Sequence, residues 1–469
     1  MNNIVLMTNY VIGRMRRVYF MSYPETKKDY KKSRICYTVG DSANQTIVQL
    51  AGGTFLATLM TSLGFTDGNI GIIASFGSFA ALAQLISMKL TAKLKKNKLF
   101  VCLSVLQKMW FAFIYFIPLM GLTDGTKRIL MVVCYFFAQL SIQVGAPAMI
   151  DWIATLIPAK LRGRYFSIKD SIAVFVTVTI MLVMGILIDY IKEINLNYGF
   201  IILGTVTAIL TLINVIAFSC MKEAKVSYMN ARGQEMHGNL ASKHKNSIAK
   251  AQPVSIIGET KNALGTPDFR KALVLNCLWL TAFYGASPFN ASYQIKELGL
   301  PYTFIMVLSF ITSMLRIYLM PKAGKTADKI GMSKVLRWSF IAMGMHYLFM
   351  TVSVPQTAYV TATLAAIFSS LGWIFIGIGL LGIQLEFLDE GKRIIQYALL
   401  SMISGVYGFM ISFIGGKAID LLQRVDLHIG GHFIYAQQIT NVWGVIFVLI
   451  TIGYLYFAIE KASVKTRRS

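Results

Sequence analysis

Ionisable residues are scarce in this chain. Asp, Glu, Lys and Arg make up 14% of 469 residues, only 21 residues are acidic, and histidine occurs five times. An ordinary soluble domain carries about 25% charged residues, so little is available here to solvate a surface. No His-Glu-x-x-His, no clustered histidines and no nucleophile elbow occur, and nothing else suggests an enzyme. The five cysteines, Cys36, Cys102, Cys134, Cys220 and Cys277, stand singly without Cys-x-x-Cys spacing. They read as small apolar packers, and neither a metal site, a disulfide framework nor a cofactor is expected. A phosphate-binding loop is missing too, because Gly324-Lys325-Thr326 has Leu319 where the first glycine belongs. That argues against an ATP-driven pump.

What the chain has is apolar length. Hydrophobic residues make up 55% of it, and they gather into spans at 35–62, 68–93, 99–121, 127–156, 165–191, 197–220, 271–295, 302–323, 334–353, 356–387, 394–421 and 435–459. About 20 apolar residues rising 1.5 Å each cross a hydrocarbon core of roughly 30 Å. The expected fold is an all-α polytopic membrane protein with twelve transmembrane helices.

The net charge of +24 looks at first like a nucleic-acid footprint, but no basic run is interleaved with aromatics on a soluble domain. The basic residues follow the loops instead. With both termini placed inside, 37 of the 45 Lys and Arg fall on inner segments and 5 on outer ones, leaving Lys108, Arg316 and Lys417 within spans. The positive-inside rule accepts that orientation and rejects its reverse. The expected location is the cell membrane with cytoplasmic termini.

Residues 1–34 carry Arg14, Arg16, Arg17, Lys27 and Lys28 without the apolar core of a signal peptide. They read as a helix on the inner leaflet or as a basic tail. Residues 222–269 form the longest polar interruption and divide six spans from six, as a linker would. The expected organisation is therefore a basic segment 1–34, a bundle 35–221, a linker 222–269, a bundle 270–460 and a basic tail 461–469. The halves echo each other. Arg162 and Arg393 each open the fifth span of their half, and Gly185-Ile-Leu-Ile-Asp189 matches Gly416-Lys-Ala-Ile-Asp420 at the same offset of 231. Leu63-Gly64 and Leu298-Gly299 correspond at an offset of 235. Duplicated halves with a site near the bilayer midplane are a recurring transporter plan.

After the eighth span the chain reads Gly324-Lys-Thr-Ala-Asp328-Lys329-Ile-Gly331-Met-Ser-Lys334. This resembles the Gly-x-x-x-Asp-Arg/Lys-x-Gly-x-x-Arg/Lys loop of the major facilitator superfamily. Pro158-Ala-Lys-Leu-Arg162-Gly163-Arg164, after the fourth span, is similar to that family's Pro-x-x-x-Arg-Gly pattern. The resemblance covers the chain from about residue 34 and implies two pseudo-symmetric six-helix bundles that work by alternating access. It also implies that Asp328 helps latch the outward-open state, with Arg393 and the start of the fifth span as partners; the alternative is a solvated polar turn. The corresponding first-half loop, residues 88–98, lacks the acidic residue and both glycines. The fourth span lacks a mid-helix Arg-x-x-x-Gly and the fifth lacks a glycine-rich repeat, which weakens a multidrug-export reading.

Polar residues at membrane depth line a cavity or find a partner, since a charge there costs about 2.5–3.5 kcal/mol. Asp41, Asn44, Gln45 and Gln49 follow helical spacing in the first span and read as a path lining or as a polar zipper between helices. Gln139, Gln143 and Asp151 form a stripe in the fourth span, and Asp170 opens the fifth beside Lys169. The seventh span combines Trp279, Tyr284 and Asn290 around Ser287-Pro288, where a bend is expected. Trp373 and Glu386 lie in the tenth span, Tyr397 and Ser401 in the eleventh. Arg316 reads either as a partner for a carboxylate or anionic solute, or as a snorkelling side chain; His346 reads as a packed residue.

These residues suit a small polar organic solute, sugar-like by a faint likeness of Gly52-Gly53-Thr-Phe-Leu to solute carriers. Asp41, Asp151 and Glu386 are the candidates for proton coupling, with sodium coupling or none left open. Export, facilitated uniport, and a channel or receptor are the competing readings. The partners expected are the solute, protons or sodium, and lipid; the chain is expected to be a monomer that binds no nucleic acid.

Overall fold

A computed structural model of the chain describes residues 29–84, 87, 97–156, 162–222, 228–229, 235–236, 256–388, 393–425, 428–429 and 432–460. The expected inner-leaflet segment up to residue 28, Pro158, most of the first-half loop at 88–98, most of the 222–269 linker and the tail from 461 lie outside the described residues.

The described chain is helical apart from two antiparallel pairs of two-residue strands, Tyr228–Met229 with Glu235–Met236 and His428–Ile429 with His432–Phe433. Nine helices among the described residues are long and apolar enough to cross a membrane. They correspond to the expected spans three to eight and ten to twelve. The ninth is a helix as well, Met332–Thr351, but Lys334, Arg337 and His346 lower its hydropathy.

The first two spans differ from the continuous helices expected of them. The first divides into α1 (Asp29–Leu50) and α2 (Gly53–Ser62). The apolar pattern runs on across the break, but Gly53 takes a φ of +50°, a conformation that only glycine adopts routinely. The second divides at Ser75 into α3 (Asp67–Ala74) and α4 (Phe76–Ala80). Thr66 caps α3 by accepting from the Asn69 amide at 3.3 Å, and Asp67 occupies the first turn, where the helix dipole favours an acid.

No atom lies within 4 Å of where a Cβ on Gly53 would sit, so a substitution there is penalised by the backbone alone. Gly53→Ala is expected to lower stability by about 1–2 kcal/mol, read as a fall in the thermal midpoint of purified protein. A midpoint unchanged or raised would show that the break does not need glycine.

Contacts divide the chain into two compact units, residues 1–51 with 83–254 and residues 52–82 with 255–469. By sequence 52–82 belongs to the first half, yet it packs with the second. In the first unit, α1 packs against α8 (Arg162–Lys192) and α9 (Leu196–Ser219), while α5 (Asn97–Leu106) lies on α7 (Asp124–Leu156). Between α5 and α7 the chain forms α6 (Met109–Phe113) and a 3₁₀ turn, Ile114–Leu119. Tyr37, Val105, Trp152, Tyr165 and Phe218 fill its core.

In the second unit α10 (Ile256–Gly265) leads into α11 (Pro267–Ser292), which a π turn, Tyr293–Glu297, extends. α12 (Tyr302–Ile330) and α13 (Met332–Thr351) follow, joined at Gly331 with φ +92°. α14 (Ala358–Glu386), α15 (Arg393–Leu422) and α16 (Ala436–Tyr454) complete the unit. α11 packs against α15, α16 and α3, and α13 packs against α14 and α16. Leu336, Phe340, Tyr347 and Val448 are fully buried between them. Gly64 and Gly299, the pair matched in sequence, both have positive φ, +76° and +64°.

Candidate functional site

Two polar constellations stand out, one in each unit. In the first unit, Asp41 and Gln45 lie one turn apart on α1, and the Gln45 amide donates to the Asp41 carboxylate at 2.9 Å. From α8, the Lys169 ammonium donates to the same carboxylate oxygen at 2.6 Å and pairs with Asp170 at 2.6 Å. Lys169 is nearly buried, and its ammonium stands over the rings of Tyr37 and Phe166. Lys108, at the junction of α5 and α6, is buried as well and donates to the Asn44 side-chain oxygen at 2.5 Å. Two lysines and two aspartates thus balance formally, with Asp170 at the exposed edge of the cluster. Helical spacing explains why α1 contributes: positions 41, 44 and 45 fall on one face.

Lys108 and Lys169 were not among the site residues singled out in the sequence. A lysine within an apolar span is itself a signal, because such a charge must be compensated. The fourth-span glutamines are partnered within the unit. Gln139 donates to the Tyr135 hydroxyl at 2.9 Å, and Gln84 donates to Gln143 at 2.5 Å. Gln49 is exposed.

In the second unit, Asp67 is 4% exposed and gathers three donors: Lys296 at 2.5 Å, Gln423 at 2.8 Å and Gln437 at 3.1 Å. Next to it, the Asp420 carboxylate accepts from the Gly68 amide at 3.1 Å and the Thr66 hydroxyl at 3.2 Å. Glycines make the close approach possible, since a Cβ on Gly416 would meet the Gly68 carbonyl oxygen at 2.6 Å. This cluster binds the start of α3 to α15, α16 and the end of α11. Asp67 escaped sequence reasoning because it sits in a short polar turn and its partners are up to 370 residues away.

Other predicted site residues of the second unit are placed as follows. Trp279 is a core residue, packed on Phe283, Phe340 and Trp373 with centroids 5.3–6.0 Å apart. Tyr284 meets Ser78 through their hydroxyls. Asn290 exchanges amide hydrogen bonds with Asn441 at 2.8 and 3.2 Å. Pro288 lies inside α11, and the neighbouring Ser287 hydroxyl bonds that of Tyr347 at 2.9 Å. Tyr397 is exposed and Ser401 half-buried. Arg316 and Trp373 open onto a cavity of about 250 Å³ between α12, α13 and α14. Gly331 makes the turn before α13, and Lys334 is exposed. For Asp151, Arg162, Gly163, Arg164, Gly324, Asp328, Lys329, Glu386 and Arg393 only the helical backbone is described. Among the described residues, no three His, Cys, Asp or Glu are grouped to hold a metal ion.

Comparison with known proteins bears on this arrangement. A family profile described as Major Facilitator Superfamily matches residues 42–416. A search of curated proteins finds no match. Among solved structures, the chain is similar to a D-xylose-proton symporter at 14% identity and TM-score 0.62, covering 90% of this chain and 96% of that one. It is similar to the nucleoside transporter NupG, in a D323A mutant, at 13% identity and TM-score 0.59, covering 90% and 99%. It is also similar to the xylose transporter XylE from E. coli in an inward open conformation, at 11% identity and TM-score 0.61, covering 89% and 94%.

Proposed function

The chain belongs to the major facilitator superfamily, a family of multi-pass membrane transporters of small molecules, and from that premise we propose that it moves a small polar organic solute by alternating access, coupled to protons. It resides in the cell membrane as a monomer with both termini cytoplasmic. The excess of basic residues on one set of loops supports that orientation. The fold likeness to carriers of xylose and nucleosides supports a hydroxylated solute.

The observation that carries the reading is the cluster of Asp41, Gln45, Asn44, Lys108 and Lys169. Charged groups inside a membrane bundle are costly and mark ion or solute pathways. Here one carboxylate holds a lysine and an amide at once. A proton arriving on Asp41 would break its ion pair with Lys169, leaving the lysine to Asp170 alone, and the donors turned from Asp41 would be offered to a solute. The cluster therefore has two hydrogen-bonding states, as coupling demands. On this orientation the Asp67 cluster lies at the outer side and must open whenever the outer parts of spans one and two separate from spans seven, eleven and twelve.

The test is uptake of labelled monosaccharides and nucleosides into proteoliposomes, with and without an imposed proton gradient. Asp41→Asn is expected to lower gradient-driven accumulation by about tenfold or more, equivalent to about 1.4 kcal/mol. Accumulation by Asp41→Asn equal to that of the parent protein would eliminate Asp41 as the coupling group. A second reading, facilitated uniport, is favoured by the formal charge balance of the cluster, which needs no proton to be neutral. It requires equal uptake with and without the gradient.

A further inference from the structure

The cavity of the second unit contains a charge without an answer. Arg316 projects from α12 into a space of about 250 Å³ between α12, α13 and α14. Its guanidinium makes no hydrogen bond, ion pair or ring contact with any described residue. Lys169, in the other unit, has two carboxylates. An arginine cannot escape by losing its proton, and the half-buried Arg316 is left to water or an arriving anion for its hydrogen bonds.

Around it the lining is mostly polar and neutral. The hydroxyls of Ser309, Ser313 and Ser369, the Gln294 amide and the Trp373 indole N–H make no hydrogen bond with any described residue. Two further hydroxyls are already committed, that of Ser370 to the Thr312 carbonyl and that of Thr312 to the Leu308 carbonyl. His346 completes the wall. Its Nδ1 lies 2.9 Å from the Ala365 carbonyl oxygen, and since a carbonyl only accepts, Nδ1 carries the proton in the neutral ring. Nε2 then presents a lone pair. The cavity thus offers one cation, several hydroxyls, one acceptor and an aromatic face, with no carboxylate in its lining.

We propose that this cavity is a binding site for the carboxylate end of a hydroxylated organic acid, an assignment that rests on the transporter reading and narrows its substrate class. The planar guanidinium matches a carboxylate through two parallel hydrogen bonds. A single positive charge balances one negative charge, whereas a phosphate dianion would keep a charge uncompensated in the bundle. The serine hydroxyls and His346 Nε2 serve solute hydroxyls, and Trp373 serves the C–H face of a ring. At ~30 Å³ for each water, the space holds about eight, which suits an acid of monosaccharide size.

The experiment is calorimetric binding to the purified full chain at pH 7 with matched pairs: glucuronate against glucuronamide, gluconate against sorbitol, and shikimate against its methyl ester. At least one acid is expected to bind tenfold or more tightly than its neutral partner. Arg316→Gln should remove that preference, and Arg316→Lys, which keeps the charge and loses the fork, should retain part of it. If Arg316→Gln does not fold, phenylglyoxal modification of the parent protein takes its place, with Arg316 protected by the acid and not by the neutral partner. The proposal is overturned if no acid exceeds its neutral partner, if Arg316→Gln keeps the preference, or if both members of a pair protect equally. Flux into proteoliposomes is scored separately. An acid bound without being carried removes the transporter reading and leaves the site; an acid carried equally well by the parent protein and by Arg316→Gln removes the site and leaves the transporter.

Discussion

Asp67→Ala is expected to destabilise the protein by about 3 kcal/mol, the lower end of the range for breaking a buried ion pair. The carboxylate is 4% exposed and holds Lys296, Gln423 and Gln437. The lower end applies because Lys296 is 27% exposed and finds water once released. Gln437 has no such outlet, since it is buried, and an unsatisfied buried donor costs about 1–3 kcal/mol. Asp67→Asn keeps the acceptor oxygen and loses the charge, so its effect should lie between. Chemical unfolding in detergent measures both. A loss below about 1 kcal/mol for Asp67→Ala would mean the cluster acts as a solvated surface network.

Gly416→Val should cost a similar amount for a different reason. A Cβ there would lie 2.6 Å from the Gly68 carbonyl oxygen and 2.7 Å from Ile72. Overpacking typically costs about 1–3 kcal/mol, and a backbone oxygen yields less readily than a flexible side chain. The change would also push away the Gly68 amide that Asp420 accepts from. About 3 kcal/mol is therefore expected. Close approach through small residues is how helices associate when lipid removes the hydrophobic drive between them. Gly453→Ala is the control. No atom lies within 4 Å of a Cβ there, and alanine is better than glycine in a helix by about 1 kcal/mol. The two variants should move the thermal midpoint in opposite directions.

Much of the architecture was legible in the sequence because lipid imposes a simple code. Apolar length gave the helices, and Gly64 and Gly299 marked equivalent turns whose positive φ explains the glycine. The breaks at Gly53 and Ser75 were hidden because apolar residues continue through them. The grouping of 52–82 with the second unit was hidden as well, since its ties run from Asp67 to Gln423 and Gln437 across most of the chain. In the first-unit cluster, Asp41 and Gln45 were readable from i, i+4 spacing, and Lys169 beside Asp170 from adjacency. Lys108 was visible as a charge within an apolar span, but its partner was not, because Asn44 lies on another helix 64 residues away. Trp279 shows the converse: an aromatic residue at membrane depth in the sequence proves to be packed core.

Alternating access is tested most directly by the side from which Gln49 can be reached. Gln49 is exposed on α1, in the stripe that carries Asp41 and Gln45. In a chain with all five cysteines replaced, Gln49→Cys is treated with a membrane-impermeant maleimide applied to one face of the membrane at a time. The expected result is labelling from the cytoplasmic face in the otherwise unchanged protein, and a shift toward the outer face when Asp67→Ala is added. Simultaneous labelling from both faces would mean an open channel, and labelling from one face whatever happens at Asp67 would mean a fixed cavity. Either would contradict a carrier.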